Sequence, residues 1–386
     1  MLTKITALAL TTLLTTLLTT TGVAQASGKY TLDLPPPTGS GKVGTTALHL
    51  KDPSRQDPWN PAVPRELMVS VYYPAADTRG RERAPQFTPG AAERFGAFDT
   101  VYLHPQLPQS GVDWAATKTH SYLDAPARRT RHPVILYTPG GAEPRTLGSG
   151  IAEDLASRGF VVVTMDHTGE ASEVEFPDGV RPIQLPPDPA EFPQTIRKSV
   201  DTRVADTKFV LDQLERLAGG TNPDVDGKPL PANLNRALDL RRVGMYGHSL
   251  GGGAAVKATY EDRRIDATVS MESYLSYWPA PQGQPREIFP VAREGTQRPL
   301  LLLTSERGQD DDMRSDWSHL LASGQARRVN YADAAHYAFT DYGPMARQLH
   351  SAGLMAAQGL ADLVGPADHT RAIRTTIADF FTCALR

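Results

Sequence analysis

Four short apolar runs, Val134–Tyr137, Phe160–Met165, Val243–Tyr246 and Leu300–Leu303, show little polar alternation. That is the pattern of strands buried on both faces of a parallel sheet. Leu67–Tyr73 and Ala267–Met271 are two further strand candidates, and Arg328–Tyr331 is a shorter one. Between them, Ile196, Val200, Val204, Leu211, Leu214 and Leu217 recur at helical spacing. They put one apolar face on a long helix from about Thr195 to Ala218. Ile373, Ile377, Phe380 and Phe381 repeat that pattern near the C-terminus, with Asp368 placed as a cap. Strand and helix alternate, which predicts an α/β fold with one mostly parallel central sheet flanked by helices.

Three stretches break the alternation: 77–131, 274–298 and 337–365. They are rich in Pro, Gly and aromatics and too long for simple connections. They read as loop or lid insertions that either wall the active face or elaborate the surface away from it. At the other end, Met1–Lys4 carries positive charge, Ile5–Leu18 is apolar and threonine-rich, and Ala24-Gln25-Ala26 supplies a small-x-small pattern. This predicts a signal peptide, 1–26, cleaved after Ala26, and hence a secreted protein. The apolar stretch is too short and too interrupted for a membrane anchor. Residues 27–45 read as an extended lead-in, and 46–386 as a single domain carrying the insertions.

Composition removes several function classes. Of 386 residues, 40% are hydrophobic, which excludes wholesale disorder, and the formal charge of −3 offers no basic field for nucleic acid. The one cysteine, Cys383, excludes an intrachain disulfide and a cysteine-built zinc cluster. Gly and Pro number 32 each, an excess that fits many turns and insertions. Gly39-Ser40-Gly41-Lys42-Val43-Gly44 fits G-x-G-x-x-G, yet no strand precedes it and no helical pattern follows. A dinucleotide or phosphate-loop role is thereby excluded, and the serine chemistry read below requires no metal or organic cofactor.

The chemistry concentrates in Val243-Gly244-Met245-Tyr246-Gly247-His248-Ser249-Leu250-Gly251-Gly252-Gly253. An apolar strand runs into G-x-S-x-G and then into a small-residue helix start, the pattern of a nucleophile elbow with Ser249 at its apex. Serine needs a histidine to take its proton and a carboxylate to orient that histidine, in the chain order Ser, acid, His. Of the later histidines, His319 and His350 fall in helical patterns and His369 starts the last helix. His336, on a small-residue loop after Arg328–Tyr331, is the candidate base. Two acids fit: Glu272, at the end of Ala267–Met271, and the trio Asp310, Asp311 and Asp312 after Leu300–Thr304. Spacing alone leaves them open. The oxyanion needs two backbone N–H groups. Leu250, after the nucleophile, supplies one; Gly141, in Thr138-Pro139-Gly140-Gly141-Ala142, supplies the other, with Ala142 next in line.

From about Leu34 to the C-terminus the chain resembles the platelet-activating-factor acetylhydrolase family in its secreted bacterial branch. The resemblance rests on Pro37-Thr38-Gly39, Arg65-Glu66-Leu67 to Tyr73-Pro74-Ala75, Ala152–Phe160, Asp166-His167, Arg203-Val204-Ala205-Asp206, Gly247–Gly252 and Ala335-His336 through Asp341. It implies an α/β-hydrolase fold and a calcium-independent serine esterase that cleaves short or oxidised acyl chains from phospholipids and small esters. Transient contact with a lipid surface goes with such a substrate. The family's acid follows the strand after the nucleophile helix, usually as Asp, so the resemblance favours Glu272 as third member of the triad. One extra methylene carries that carboxylate about 1.5 Å further out. The family's usual His in the oxyanion loop is here Pro139. Gly247–Gly253 also resembles cutinase-like polyester hydrolases, whose acid follows the later strand. A peptidase of the same fold and a catalytically inactive binding module are further readings.

Overall fold

The computed structural model describes residues 28–184 and 188–386, so the segment read as an export signal lies outside the described residues. The described residues form twelve strands: β1 (Val43–Gln56), β2 (Pro64–Pro74), β3 (Arg83–Pro85), β4 (Lys118–Leu123), β5 (His132–Thr138), β6 (Val161–Met165), β7 (Glu173–Phe176), β8 (Gly179–Pro182), β9 (Leu238–His248), β10 (Ala267–Met271), β11 (Leu300–Ser305) and β12 (Ala326–Tyr331). Ten make one sheet in the order β12-β11-β10-β9-β5-β6-β2-β1-β4-β3, and β7 and β8 pair as a separate hairpin. From β6 through β12 every pairing in the sheet is parallel; β2 is antiparallel to both β1 and β6. This is the α/β arrangement, one mostly parallel central sheet flanked by helices, that the alternation predicts.

The unbroken apolar runs sort onto opposite faces because successive strand residues point opposite ways. Ile135, Tyr137, Val162, Tyr246, Val269 and Met271 join one core with Ile373, Ile377 and Phe381 of the last helix. Val134, Leu136, Val161, Val163, Val243 and Met245 join a second with Val204, Leu211, Leu214 and Leu217 of the helix Phe192–Ala218. Truncating a fully buried member such as Leu136 to Ala would cost about 2–5 kcal/mol through lost transfer energy and a cavity. All the parallel strands end on the same side, and the loops leaving those ends build the site.

The sequence reading misses β1, whose polar β-branched alternation lacks a continuous apolar run, the short strands β4 and β3 beyond it, and the β7-β8 hairpin. The lead-in is more than a connection. Leu32 and Leu34 are buried in the core, Tyr30 and Asp33 bridge to Val112 and Lys118, and β1 starts at Val43, inside the 27–45 span. Asp368 stands one residue before the N-cap, His369, though its carboxylate still accepts the Thr370 N–H at 3.0 Å. The Gly39 and Gly41 amides donate to Ser157, so the groups a phosphate would require are occupied.

Candidate active site

β9 delivers His248 and then Ser249, whose φ of 51° and ψ of −124° lie outside the regions side chains prefer. Such strain costs of order 1–3 kcal/mol and persists only where the surroundings enforce it. Here the Ser249 N–H donates to Met271 O at 2.8 Å, and the helix Leu250–Glu261 starts at once. The flanking glycines are steric necessities. A Cβ on Gly247 would overlap Gly251 O, and one on Gly251 would overlap the carbonyls of Thr138 and Pro139. The elbow therefore brings strand, helix start and the loop after β5 into backbone contact, with Ser249 only partly covered.

β10 ends at Met271, and Glu272 turns with φ of 52°. Its buried carboxylate accepts from the Ser305 N–H and, at 3.0 Å, from Ser305 Oγ. Glu272 Oε2 lies 3.6 Å from His336 Nδ1, ion-pair range rather than a formed hydrogen bond; catalytic contacts are often this loose before substrate binds. His336 opens the short 3-10 helix His336–Phe339 with its side chain one-third exposed. The three aspartates are engaged elsewhere. Asp310 caps the helix Asp311–Ala322 through the Met313 N–H and accepts from Tyr274 Oη at 2.6 Å. Asp311 pairs with Arg314, and Asp312 with Arg286. The structure thus gives His336 the carboxylate of Glu272.

In the loop after β5, the Gly140 N–H donates to Glu143 Oε2 at 2.7 Å, whereas no acceptor among the described residues takes the Gly141 N–H. A Cβ on Gly141 would touch the Leu250 side chain, so the two expected donors are neighbours. A buried polar network holds this loop from below. Arg203 donates to Pro139 O and, at 3.1 Å, to Gly140 O, while its Nε pairs with Glu170 at 2.8 Å. His167 bridges Thr138 Oγ1 and Asp206, which Arg65 also pairs. Burial works against the Asp206 charge, but Arg65 and His167 outweigh it and hold the carboxyl far below its ordinary range. Desolvation, with Arg203 nearby, holds His167 below its usual value.

Glu143 and His248 are among the residues of this neighbourhood that went unassigned in the sequence. Both are buried, with His248 Nδ1 3.0 Å from Glu143 Oε1 and His248 Nε2 2.8 Å from His336 O. The clue was positional, a basic residue inside G-x-S-x-G and an acid closing Gly140-Gly141-Ala142-Glu143. Only the fold makes them partners.

Ser249, Gly141 and Leu250 form the floor of a cleft of about 200 Å³. Ile196, Val200 and Phe289 wall it, and Phe192, Tyr274 and Trp278 stand at its mouth. Tyr274 and Trp278 stack in parallel, 4.3 Å apart. The 274–298 insertion is therefore a cleft wall. The 77–131 insertion instead adds β3 and β4 to the sheet edge and packs His104 against Tyr337, beside His336, while 337–365 supplies core helices. Among the described residues, no group of three or more His, Cys, Asp or Glu is arranged to hold a metal ion, and no helix is long and apolar enough to cross a membrane.

Sheet order, elbow and loop geometry together define an α/β-hydrolase. Within that class the chain belongs to the family described as platelet-activating factor acetylhydrolase, isoform II, whose profile matches residues 31–362. It is 31% identical over 252 residues to a probable 1-alkyl-2-acetylglycerophosphocholine esterase of Arthroderma benhamiae, covering 63% of this chain and 59% of that one. To the platelet-activating factor acetylhydrolase of Bos taurus it is 24% identical over 201 residues, 46% of this chain and 41% of the other. The chain thus matches about half the length of these relatives. Among solved structures it is similar to a ferulic acid esterase from Streptomyces cinnamoneus, with a TM-score of 0.69 and 30% identity over 92% of this chain and 93% of that one.

Proposed function

We propose that this chain is an exported serine carboxylic-ester hydrolase that works through an acyl-enzyme. The observation that carries the reading is the strained Ser249, on the floor of an apolar cleft between Gly141 and Leu250, one residue from the histidine that holds the His336 loop. Ser249 Oγ attacks the ester carbonyl while His336 accepts its proton, and Glu272 orients the imidazole and balances the imidazolium. The Leu250 and Gly141 N–H groups take the developing oxyanion, each donor being worth roughly 3–4 kcal/mol. His336 then protonates the departing alkoxide, and water repeats the sequence on the acyl-enzyme. Export rests on the pattern of residues 1–26.

Substrate choice follows from which residues line the cleft. Ser249 and both expected oxyanion donors line the cleft and its walls are apolar, so we assign it to the acyl group. Its size suits a short acyl chain of a small ester or phospholipid. The stacked Tyr274 and Trp278, with the similarity to a ferulic acid esterase, favour a second reading in which the acyl group is a flat aromatic acid. A fluorophosphonate probe should label Ser249, and Ser249→Ala should abolish p-nitrophenyl acetate turnover; retained turnover overturns the serine mechanism. A p-nitrophenyl acyl series run beside methyl ferulate and short-chain phosphatidylcholine ranks the substrates. Trp278→Ala should lower turnover of the aryl ester far more than of the acetate, and equal effects on both remove the aromatic reading.

A further inference from the structure

We infer that Glu143 and His248 act as one positioning unit that ties the oxyanion loop to the loop carrying His336. The inference rests on the serine mechanism proposed above.

The two side chains touch all three working segments. Glu143 closes the loop after β5 and accepts the Gly140 N–H at 2.7 Å, one residue before the expected oxyanion donor Gly141. His248 ends β9, directly before Ser249. Its Nδ1 faces both Glu143 oxygens, at 3.0 and 3.1 Å, and its Nε2 faces His336 O at 2.8 Å. Carboxylate and carbonyl oxygens only accept, so the form that satisfies both contacts is the imidazolium, donating from each ring nitrogen. Burial disfavours both charges, yet the pair overcomes it: Glu143 is held below the usual carboxylate range and His248 above its ordinary value. The fit is close. A Cβ on Gly140 would come within 2.7 Å of Glu143 Oε2 and 3.1 Å of His248 Nδ1.

A well-packed hydrophobic pair of similar volume often stabilises a core as well as a buried ion pair does. What such a pair lacks is direction. Two fixed donors and a bidentate acceptor set where Gly140 and His336 O stand relative to Ser249. Neither side chain need touch the substrate. His104, Tyr337, Glu272 and the His336 ring surround the unit, and a rearrangement of any of them must work against it.

The test compares His248→Gln, Glu143→Gln and the double variant, with p-nitrophenyl acetate kinetics normalised to serine titrated exhaustively by a fluorophosphonate. Each single variant should lower kcat by about tenfold or more with KM changed less than about twofold, and the double variant should fall no further than the worse single one. Wild-type kcat per labelled serine, or losses that multiply in the double variant, would overturn the proposal. Should a variant not fold, nitrogen-15 NMR of the histidines in the wild-type chain decides: His248 should carry protons on both ring nitrogens at pH 7, and a neutral ring sinks the idea. Ser249→Ala, run alongside, separates this outcome from failure of the serine mechanism, because only the latter leaves that variant active.

Discussion

The carboxylate of Glu272 occupies the space that a β-carbon on Gly308 would need. Glutamate is one methylene longer than the aspartate expected of its relatives, and the turn after β11 makes room by carrying no side chain there. Gly308→Ala should therefore displace the carboxylate and lower kcat by about tenfold to a hundredfold, the scale of a misplacement near 1 Å. Adding Glu272→Asp to that variant should recover part of the loss. Steady-state kinetics on the two variants checks both expectations.

Glu272→Gln should reduce kcat by roughly 10³- to 10⁴-fold, since an amide holds the wrong tautomer of the base. Asp310→Asn, Asp311→Asn and Asp312→Asn should leave kcat near the wild-type value. Asp310→Ala should show its effect in a melt, losing about 1 kcal/mol with the N-cap of the helix Asp311–Ala322. A kcat loss in the Asp311 variant comparable to that of Glu272→Gln would return the acid to the later strand.

Arg203 pins the carbonyls of Pro139 and Gly140 while pairing Glu170. Arg203→Met strands the Glu170 charge and should destabilise the fold by about 3–5 kcal/mol. Arg203→Lys keeps the charge but loses the planar fork. It should retain most of the melting temperature while lowering kcat, which thermal denaturation and kinetics on one preparation will resolve.

His104 gives a pH signature. Burial pushes its imidazolium down to about 4, the Glu143 charge opposing this and the His336 and His248 charges adding to it. The unfolded chain binds that proton near pH 6.5, so the folded state loses stability as pH falls from about 6.5 toward 4, by about 3 kcal/mol at most. His104→Phe fits the cage of Tyr337 and Tyr342 and should flatten the dependence of melting temperature on pH across that window. Parallel wild-type and variant curves would remove His104 as the cause.

The central strands were legible because they are buried on both faces, which leaves uninterrupted apolar runs in the sequence. Ser249 was legible because the elbow constrains residues adjacent in the chain. β1 was not, since its strand character rests on pairing with β2 over eleven register positions rather than on an apolar run. Glu143 and His248, 105 residues apart, become partners only when β5 and β9 lie side by side. The choice between Glu272 and Asp310–Asp312 was likewise a question of which strand end faces His336.

Cys383, the sole thiol of the chain, is exposed in a groove with Phe380 and the residues that begin β11 and β12. Ser249 and Glu272 follow the opposite ends of their parallel strands. A maleimide surface would hold every molecule by the same point on its underside, leaving the aromatic mouth turned toward the solution. The sheet's polarity thus provides oriented immobilisation without any engineered handle.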